Sequence, residues 1–359
     1  MASSLKSETN WRFNRANYPT TKNTASSPMN YSCENEVSTY VPEDEENFGI
    51  EVIKIDNNRY KTSLHVSQLY IGCIIGRKGV TKKSIENDTK AYIMIPNQKQ
   101  EQTEDITIIG ASIENVMAAR KRINNIVVSA RMRQRPTHFI SLPLNTTTVM
   151  ENFEKFKEAV LSSCSMNDGV EDSLFISGRK LHLTVGVMCL SDNVERSHAS
   201  KLLTEAREKV VMPLIQQYIP IKIRLKGLSC MNDDPKATHV LYCNVQEEDG
   251  PSGLLQKLTD GLAQYFLKAH IMKKEFGRDN VKMHVTLLNS RYRNQSADVA
   301  KEHSRNLRNK RMSFNGSKIL KKFSEYDFGV STLSDIHLSQ MKVVGPDGYY
   351  LPTCVISLQ

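Results

Sequence analysis

Leu181-His182-Leu183-Thr184-Val185-Gly186-Val187 alternates apolar and polar residues with the period of a β-strand, and Met283-His284-Val285-Thr286-Leu287-Leu288 repeats the pattern further along. In a strand, residues two apart share a face roughly 7 Å apart. Each segment therefore sends a histidine and a threonine to one side and its aliphatic neighbours to the other. A helix precedes each pair in the reading of the flanking sequence, so the chain reads as an internal duplication. Two related lobes would set two imidazoles around one cleft.

That pairing suits attack at a phosphodiester. One neutral histidine accepts a proton from the nucleophilic hydroxyl while the other, protonated, donates one to the leaving oxygen, and imidazole pKa values near 6.5 make both states accessible. Threonine hydroxyls can hold the non-bridging oxygens. No cluster of metal-ligating residues stands out, so no metal or other cofactor is expected. His182, Thr184, His284 and Thr286 are the candidate catalytic residues. Which histidine is base and which is acid stays open. Ile336-His337-Leu338-Ser339 is a competing strand-like His-x-Ser, and His65-Val66-Ser67 and His198-Ala199-Ser200 are looser copies. Frequency alone does not reject them; the two His-x-Thr copies are preferred because their contexts repeat.

Outward from these strands, residues 137 to 359 read as alternating strands and helices without a regular βαβ rhythm, which makes the class α+β. The expected helices cover 147–164, about 192–218 and 254–270, with strands at 139–143, near 221, and at 240–245, 326–330 and 335–343. Gly345-Pro346-Asp347-Gly348 reads as a turn before a last strand.

Upstream, residues 60 to 130 read β-α-α-β-β-α, with Ser112 as the N-cap of the last helix. Of three G-x-x-G patterns, those beginning at Gly250 and Gly345 are ordinary Gly-Pro turns. Gly76-Arg77-Lys78-Gly79 instead follows the apolar Ile71, Ile74 and Ile75 and opens a helix. Glycine at both ends lets backbone amides approach a phosphate, the helix N-terminus adds positive dipole, and Arg77 and Lys78 add charge.

The stretch Ile71-Gly72-Cys73-Ile74-Ile75-Gly76-Arg77-Lys78-Gly79, in its β-α-α-β-β-α setting, resembles the KH family. That resemblance implies that Ile75, Gly76, Arg77, Lys78 and Gly79 bind single-stranded RNA, with single-stranded DNA as the other candidate, and that bases lie on a groove floored by Ile75, Ile85 and Ile93. Aromatics are scarce here, which limits stacking. The two His-x-Thr motifs, with Phe139 to Leu144 and Phe314-Asn315-Gly316, resemble the A-kinase-anchoring-protein-like branch of the 2H phosphoesterases. What this implies is a two-lobed, pseudo-symmetric LigT-like domain with metal-independent RNA phosphodiesterase or 2′,3′-cyclic phosphodiesterase activity.

The expected organisation is a disordered tail at 1–48, a KH domain at 49–132 and a 2H phosphoesterase domain at 137–359. The combination, with Met231 to Pro235 and Cys164-Ser165-Met166, resembles a subunit of a helicase-containing assembly in transcription coactivation and the alkylation-damage response. That implies a nuclear place, with the cytoplasm second, and a monomer outside the assembly. The same residues also fit a catalytically silent adaptor that grips an RNA end, or a scaffold acting through protein contacts.

Charge agrees with a polyanion partner. The net charge is +9, with four Lys/Arg against seven Asp/Glu in residues 1–48 and fifteen against eight in 49–136. Arg291, Arg293, Lys318, Lys321 and Lys322 could guide a phosphate chain or form a solvated face. Seven scattered cysteines without a C-x-x-C pair speak against a disulfide framework or a zinc module. With no long apolar run, no signal-peptide pattern and Ala2 after Met1, a soluble, intracellular protein without a membrane partner is expected.

Overall fold

The computed structural model describes residues 39–40, 51–56, 58–96, 105–164, 168–274, 278–293 and 311–358. It is α+β and holds two hydrophobic cores. The first belongs to β1 (Thr39–Tyr40), β2 (Val52–Asp56), β3 (Arg59–Leu64), α1 (Gln68–Ile75), α2 (Val80–Thr89), β4 (Ala91–Met94), β5 (Ile106–Gly110) and α3 (Ile113–Arg133). From β3 onward this is the expected β-α-α-β-β-α order. The sheet is antiparallel in the order β1-β2-β3-β5-β4, so β2 and β1 extend it on the β3 side. Thr39 and Tyr40 fall within the segment read as a disordered tail but pair with Ile53 and Val52. The rest of that segment, with Trp11 and the acidic run 43–46, lies outside the described residues, as do 97–104 between β4 and β5.

Tyr70 and Ile74 of α1, Ile85 of α2, Ile93, Ile106 and Ile108 of the sheet, and Val116 and Ile123 of α3 fill the interior. Ser112 caps α3 as its sequence suggests, its Oγ accepting from the amide of Asn115.

The second core is built on β6 (His138–Pro143), α4 (Thr147–Ser163), β7 (His182–Met188), α5 (Asn193–Ala206), α6 (Met212–Ile215), β8 (Ile221–Cys230), β9 (Val240–Glu247), α7 (Leu254–Lys268), β10 (Val285–Asn289), α8 (Ser317–Phe323), β11 (Asp327–Leu333), β12 (Asp335–Val344) and β13 (Tyr350–Ser357). The single helix expected at 192–218 is broken into pieces. Pro213 has no amide to continue the ladder, and at Arg207–Val211 the hydrogen bonds open to a π turn, with the Met212 amide reaching the carbonyl of Arg207.

All eight strands form one antiparallel sheet in the order β11-β8-β9-β10-β7-β6-β12-β13. Its symmetry lies at the centre: β10 with β9, β8 and β11 forms one four-stranded lobe, and β7 with β6, β12 and β13 the other. The expected lobes thus share a continuous sheet, and α4 and α7 precede the two central strands. Leu183 and Val185 of β7 and Val285 and Leu287 of β10 point into the core shared with Phe153 and Phe156 of α4 and Leu258 and Leu262 of α7. Their alternates, His182, Thr184 and Thr286, stay half-buried on the opposite face.

The two cores meet through specific polar contacts. Arg131, near the end of α3, donates from Nη2 to Glu195 Oε1 of α5 at 2.6 Å and from Nη1 to the carbonyl of His270 at 3.2 Å. His65 lies 3.0 Å from Asp192, and the Tyr70 hydroxyl donates to Cys189 Sγ. Of the basic stretch that closes α3, Arg131 is therefore committed to this junction, whereas Arg133 and Arg135 are exposed. Among the described residues, no helix is long and apolar enough to cross a membrane.

Candidate active site and nucleic-acid interface

Strands β7 and β10 are neighbours, and Leu183 of one pairs with Val285 of the other. In an antiparallel ladder that register sets His284 across from Thr184 and Thr286 across from His182. The four candidate catalytic residues thus share one face of the two central strands, each histidine opposite the other motif's threonine. Two segments distant in sequence come together because each buries its aliphatic alternates in the same core.

The histidines are held alike. His182 Nδ1 lies 2.6 Å from the carbonyl of Lys180, and His284 Nδ1 lies 2.7 Å from the carbonyl of Lys282. A carbonyl only accepts, so Nδ1 carries the hydrogen and Nε2 is the nitrogen left for proton transfer. Phe139, Tyr349 and Tyr350 surround His182 at centroid distances of 5.1, 6.3 and 5.4 Å. This enclosure desolvates the imidazolium and pushes the His182 pKa down to about 4; the Lys180 carbonyl opposes the shift and nearby His284 adds to it. Tyr242 stands edge-on to His284 at 5.4 Å.

The duplication extends beyond His-x-Thr. Lys180 and Lys282 stand two residues before the histidines, and each folds its ammonium over a tyrosine face, Lys180 over Tyr350 at 5.2 Å and Lys282 over Tyr242 at 4.6 Å. The shared Lys-x-His-x-Thr spacing was a usable sequence signal. The tyrosines gave none, because they arrive from other strands.

His337, the competing histidine, lies on β12 opposite Ser141. Tyr349 is packed 5.5 Å from His337 and 6.3 Å from His182, and its hydroxyl bonds to Ser141 Oγ. His337 therefore belongs to the wall behind Tyr349, two strands from β7, where burial lowers its pKa. His198 sits on α5, where a His-x-Ser spacing does not share a face, and His65 is engaged with Asp192 and Asp105. Three of the basic residues near the second motif have internal partners: Arg293 with Glu171 and the Gly169 carbonyl, Lys318 with Asp168, and Lys322 with Ser163. Among the described residues, no three His, Cys, Asp or Glu side chains converge as metal ligands would.

The loop Gly76 to Gly79 projects between α1 and α2 with Arg77 and Lys78 exposed and Ile75 half-buried. Gly76 and Gly79 have φ of 70° and 78°, and Lys78 has 53°, so the turn uses the left-handed region that glycine enters freely. A Cβ on Gly76 would lie 2.0 Å from Thr81 Oγ1, so the close approach there requires glycine. The apolar floor differs from expectation. Ile85 and Ile93 are 1% and 0% exposed and belong to the core, because α2 and β4 turn those positions inward; only Ile75 of the three remains accessible. Among the described residues of this segment, Tyr92 on β4 is an exposed aromatic, 58% exposed with Lys82 above its ring at 5.1 Å.

A two-lobed sheet with paired His-x-Thr strands behind a glycine-loop RNA-binding fold defines a KH-linked 2H phosphoesterase-like protein. Residues 136–358 match the AKAP7 2′5′ RNA ligase-like domain family, and the chain belongs to it; residues 61–125 match the KH domain. The chain is 34% identical over 301 residues to Activating signal cointegrator 1 complex subunit 1 of Mus musculus, which covers 81% of this chain and 82% of the mouse protein. It is also 35% identical over 107 residues to Vigilin 1 of Schizosaccharomyces pombe, a match limited to 30% of this chain and 8% of that protein.

Proposed function

We propose that the protein captures single-stranded RNA on its KH loop and cleaves a phosphodiester, or opens a 2′,3′-cyclic phosphate end, between the two histidines without a metal. The Leu183 to Val285 pairing carries this reading, because it alone puts both His-x-Thr motifs on one face. His182 is the base. Burial keeps it neutral at neutral pH, so its Nε2 lone pair is available, and an incoming phosphate anion favours the imidazolium that forms. His284 is then the acid.

In cleavage of a chain, the 2′-oxygen forms a bond to phosphorus as its proton passes to His182. The bond to the 5′-oxygen breaks as His284 supplies that oxygen with a proton. When a cyclic end is opened, water forms the bond to phosphorus as its proton passes to one histidine, and the bond to the ribose 2′-oxygen breaks as the other histidine supplies that oxygen with a proton. Thr184 and Thr286 donate to the non-bridging oxygens, where charge builds. Arg77, Lys78 and the amides of the Gly76 to Gly79 turn hold the backbone of the same strand.

By its likeness to the mouse subunit, the protein is proposed to work within an activating signal cointegrator 1 complex, in the nucleus, in transcription coactivation and alkylation repair. The test of the activity is an end-group assay in EDTA, using short RNAs ending in 3′-hydroxyl, 3′-phosphate or 2′,3′-cyclic phosphate. Product from one end type, lost in His182→Ala, supports the reading. Tight binding with no product from any RNA means an adaptor instead.

A further inference from the structure

Each half of the cleft is a three-part unit that the proton-transfer scheme does not use in full. On the β7 side, Tyr350 is edge-on to His182 at 5.4 Å and its face carries the Lys180 ammonium at 5.2 Å. On the β10 side, Tyr242 is edge-on to His284 at 5.4 Å and carries the Lys282 ammonium at 4.6 Å. Main-chain carbonyls of these same lysines orient the histidines, but that needs no lysine side chain. Two long cationic side chains have nonetheless been placed alike, one aromatic ring beyond each imidazole.

A ring face holds an ammonium on one side and leaves donors on its other side. Among the described residues neither lysine is ion-paired with a carboxylate; Lys282 makes one weak contact, to Met231 Sδ at 3.3 Å. The antiparallel register sends the two apart: Lys282 stands toward the level of Gly186, and Lys180 before His182 at the other end of the face. Each lysine precedes one of two antiparallel neighbouring strands, so the two approach the histidine pair from opposite ends.

We infer that Lys180 and Lys282 read the phosphates on either side of the scissile one, so that the cleft is built for an internal linkage of an RNA chain rather than for a mononucleotide. This rests on the phosphodiester reading of the same site and specifies its substrate class. The scissile phosphate sits between His182 and His284, and the preceding and following phosphates each meet one ammonium. A nucleoside 2′,3′-cyclic monophosphate has only the central phosphate and gains nothing from either lysine.

The test uses the full chain with Lys180→Gln, Lys282→Gln and the corresponding Lys→Arg variants. A 2′-O-methyl RNA hexamer, which lacks the attacking hydroxyl, reports binding as a function of salt. Each Gln variant is expected to weaken binding and to reduce the slope of log affinity against log salt by about 0.7, the share of one single-strand phosphate contact, while Arg restores it. With chain RNA as substrate, KM rises in the Gln variants, and turnover of the cyclic mononucleotide is unchanged. An unchanged slope and KM in both Gln variants overturns the inference. If the wild type cleaves none of these RNAs, the phosphodiester reading fails, and the salt slope still decides whether the lysines hold a chain.

Discussion

Arg131→Met severs the main polar tie between the two cores, and its cost follows from what is left behind. Glu195 Oε1 loses its 2.6 Å bond from Arg131, while Oε2 keeps the Ser191 amide and hydroxyl at 2.7 and 2.6 Å. The two side chains are 11% and 9% exposed, so the remaining carboxylate cannot recover its lost partner from bulk water. Removing one member of a buried pair costs about 3–5 kcal/mol, because the other is stranded. The exposed pair Arg122 to Asp88, at 43% and 55%, is the internal control, and Arg122→Met should cost about 1 kcal/mol or less. Denaturant unfolding of both variants measures the difference. Arg131→Met with Glu195→Gln should recover part of the loss, since no charge then stays buried. A loss below about 1 kcal/mol for Arg131→Met, equal to the control, would refute the view that this pair is buried and locks the junction.

Three further outcomes are expected. Burial lowers His182 and His138 to about 4, below the unfolded value of 6.5, so the unfolded chain binds more protons between these pH values; stability should fall as pH drops through that window, and His138→Gln should flatten the fall measured by thermal unfolding at pH 4 to 7. Gly76→Ala should destabilise the KH fold by more than about 1 kcal/mol through its clash with Thr81 and its positive φ, whereas Gly72→Ala, with open space around it in α1, should be neutral or stabilising by chemical denaturation. Arg77→Ala with Lys78→Ala should weaken single-stranded RNA binding and reduce its salt slope by about 1.4, read by fluorescence anisotropy at several salt concentrations.

Much of this was legible because it is local. Alternation announced β7 and β10, Ser112 announced the start of α3, and glycine spacing around Arg77 and Lys78 announced the loop. His182 and His284 stood out as candidates because two apolar strands repeat the same His-x-Thr spacing. What stayed hidden depends on partners distant in sequence. Nothing in residues 335 to 357 says that β12 and β13 return to complete the lobe of β6 and β7, and so nothing placed Tyr349 and Tyr350 against His182. Arg131 could not be matched to Glu195 from the sequence, because its carboxylate partner sits in a different core. Ile85 and Ile93 read as groove because an apolar residue beside a loop looks the same whether it faces ligand or core.

If His182 and His284 act as one base and acid pair, single-turnover cleavage of an end-labelled RNA in EDTA needs both. His182→Ala, His284→Ala and the double variant are compared with the wild type after each is shown to fold and to bind the RNA. Each single variant is expected to lose at least about a hundredfold in rate and the double variant to lose little more, because groups that work as a unit are not additive. Wild-type cleavage by either single variant would contradict that pairing.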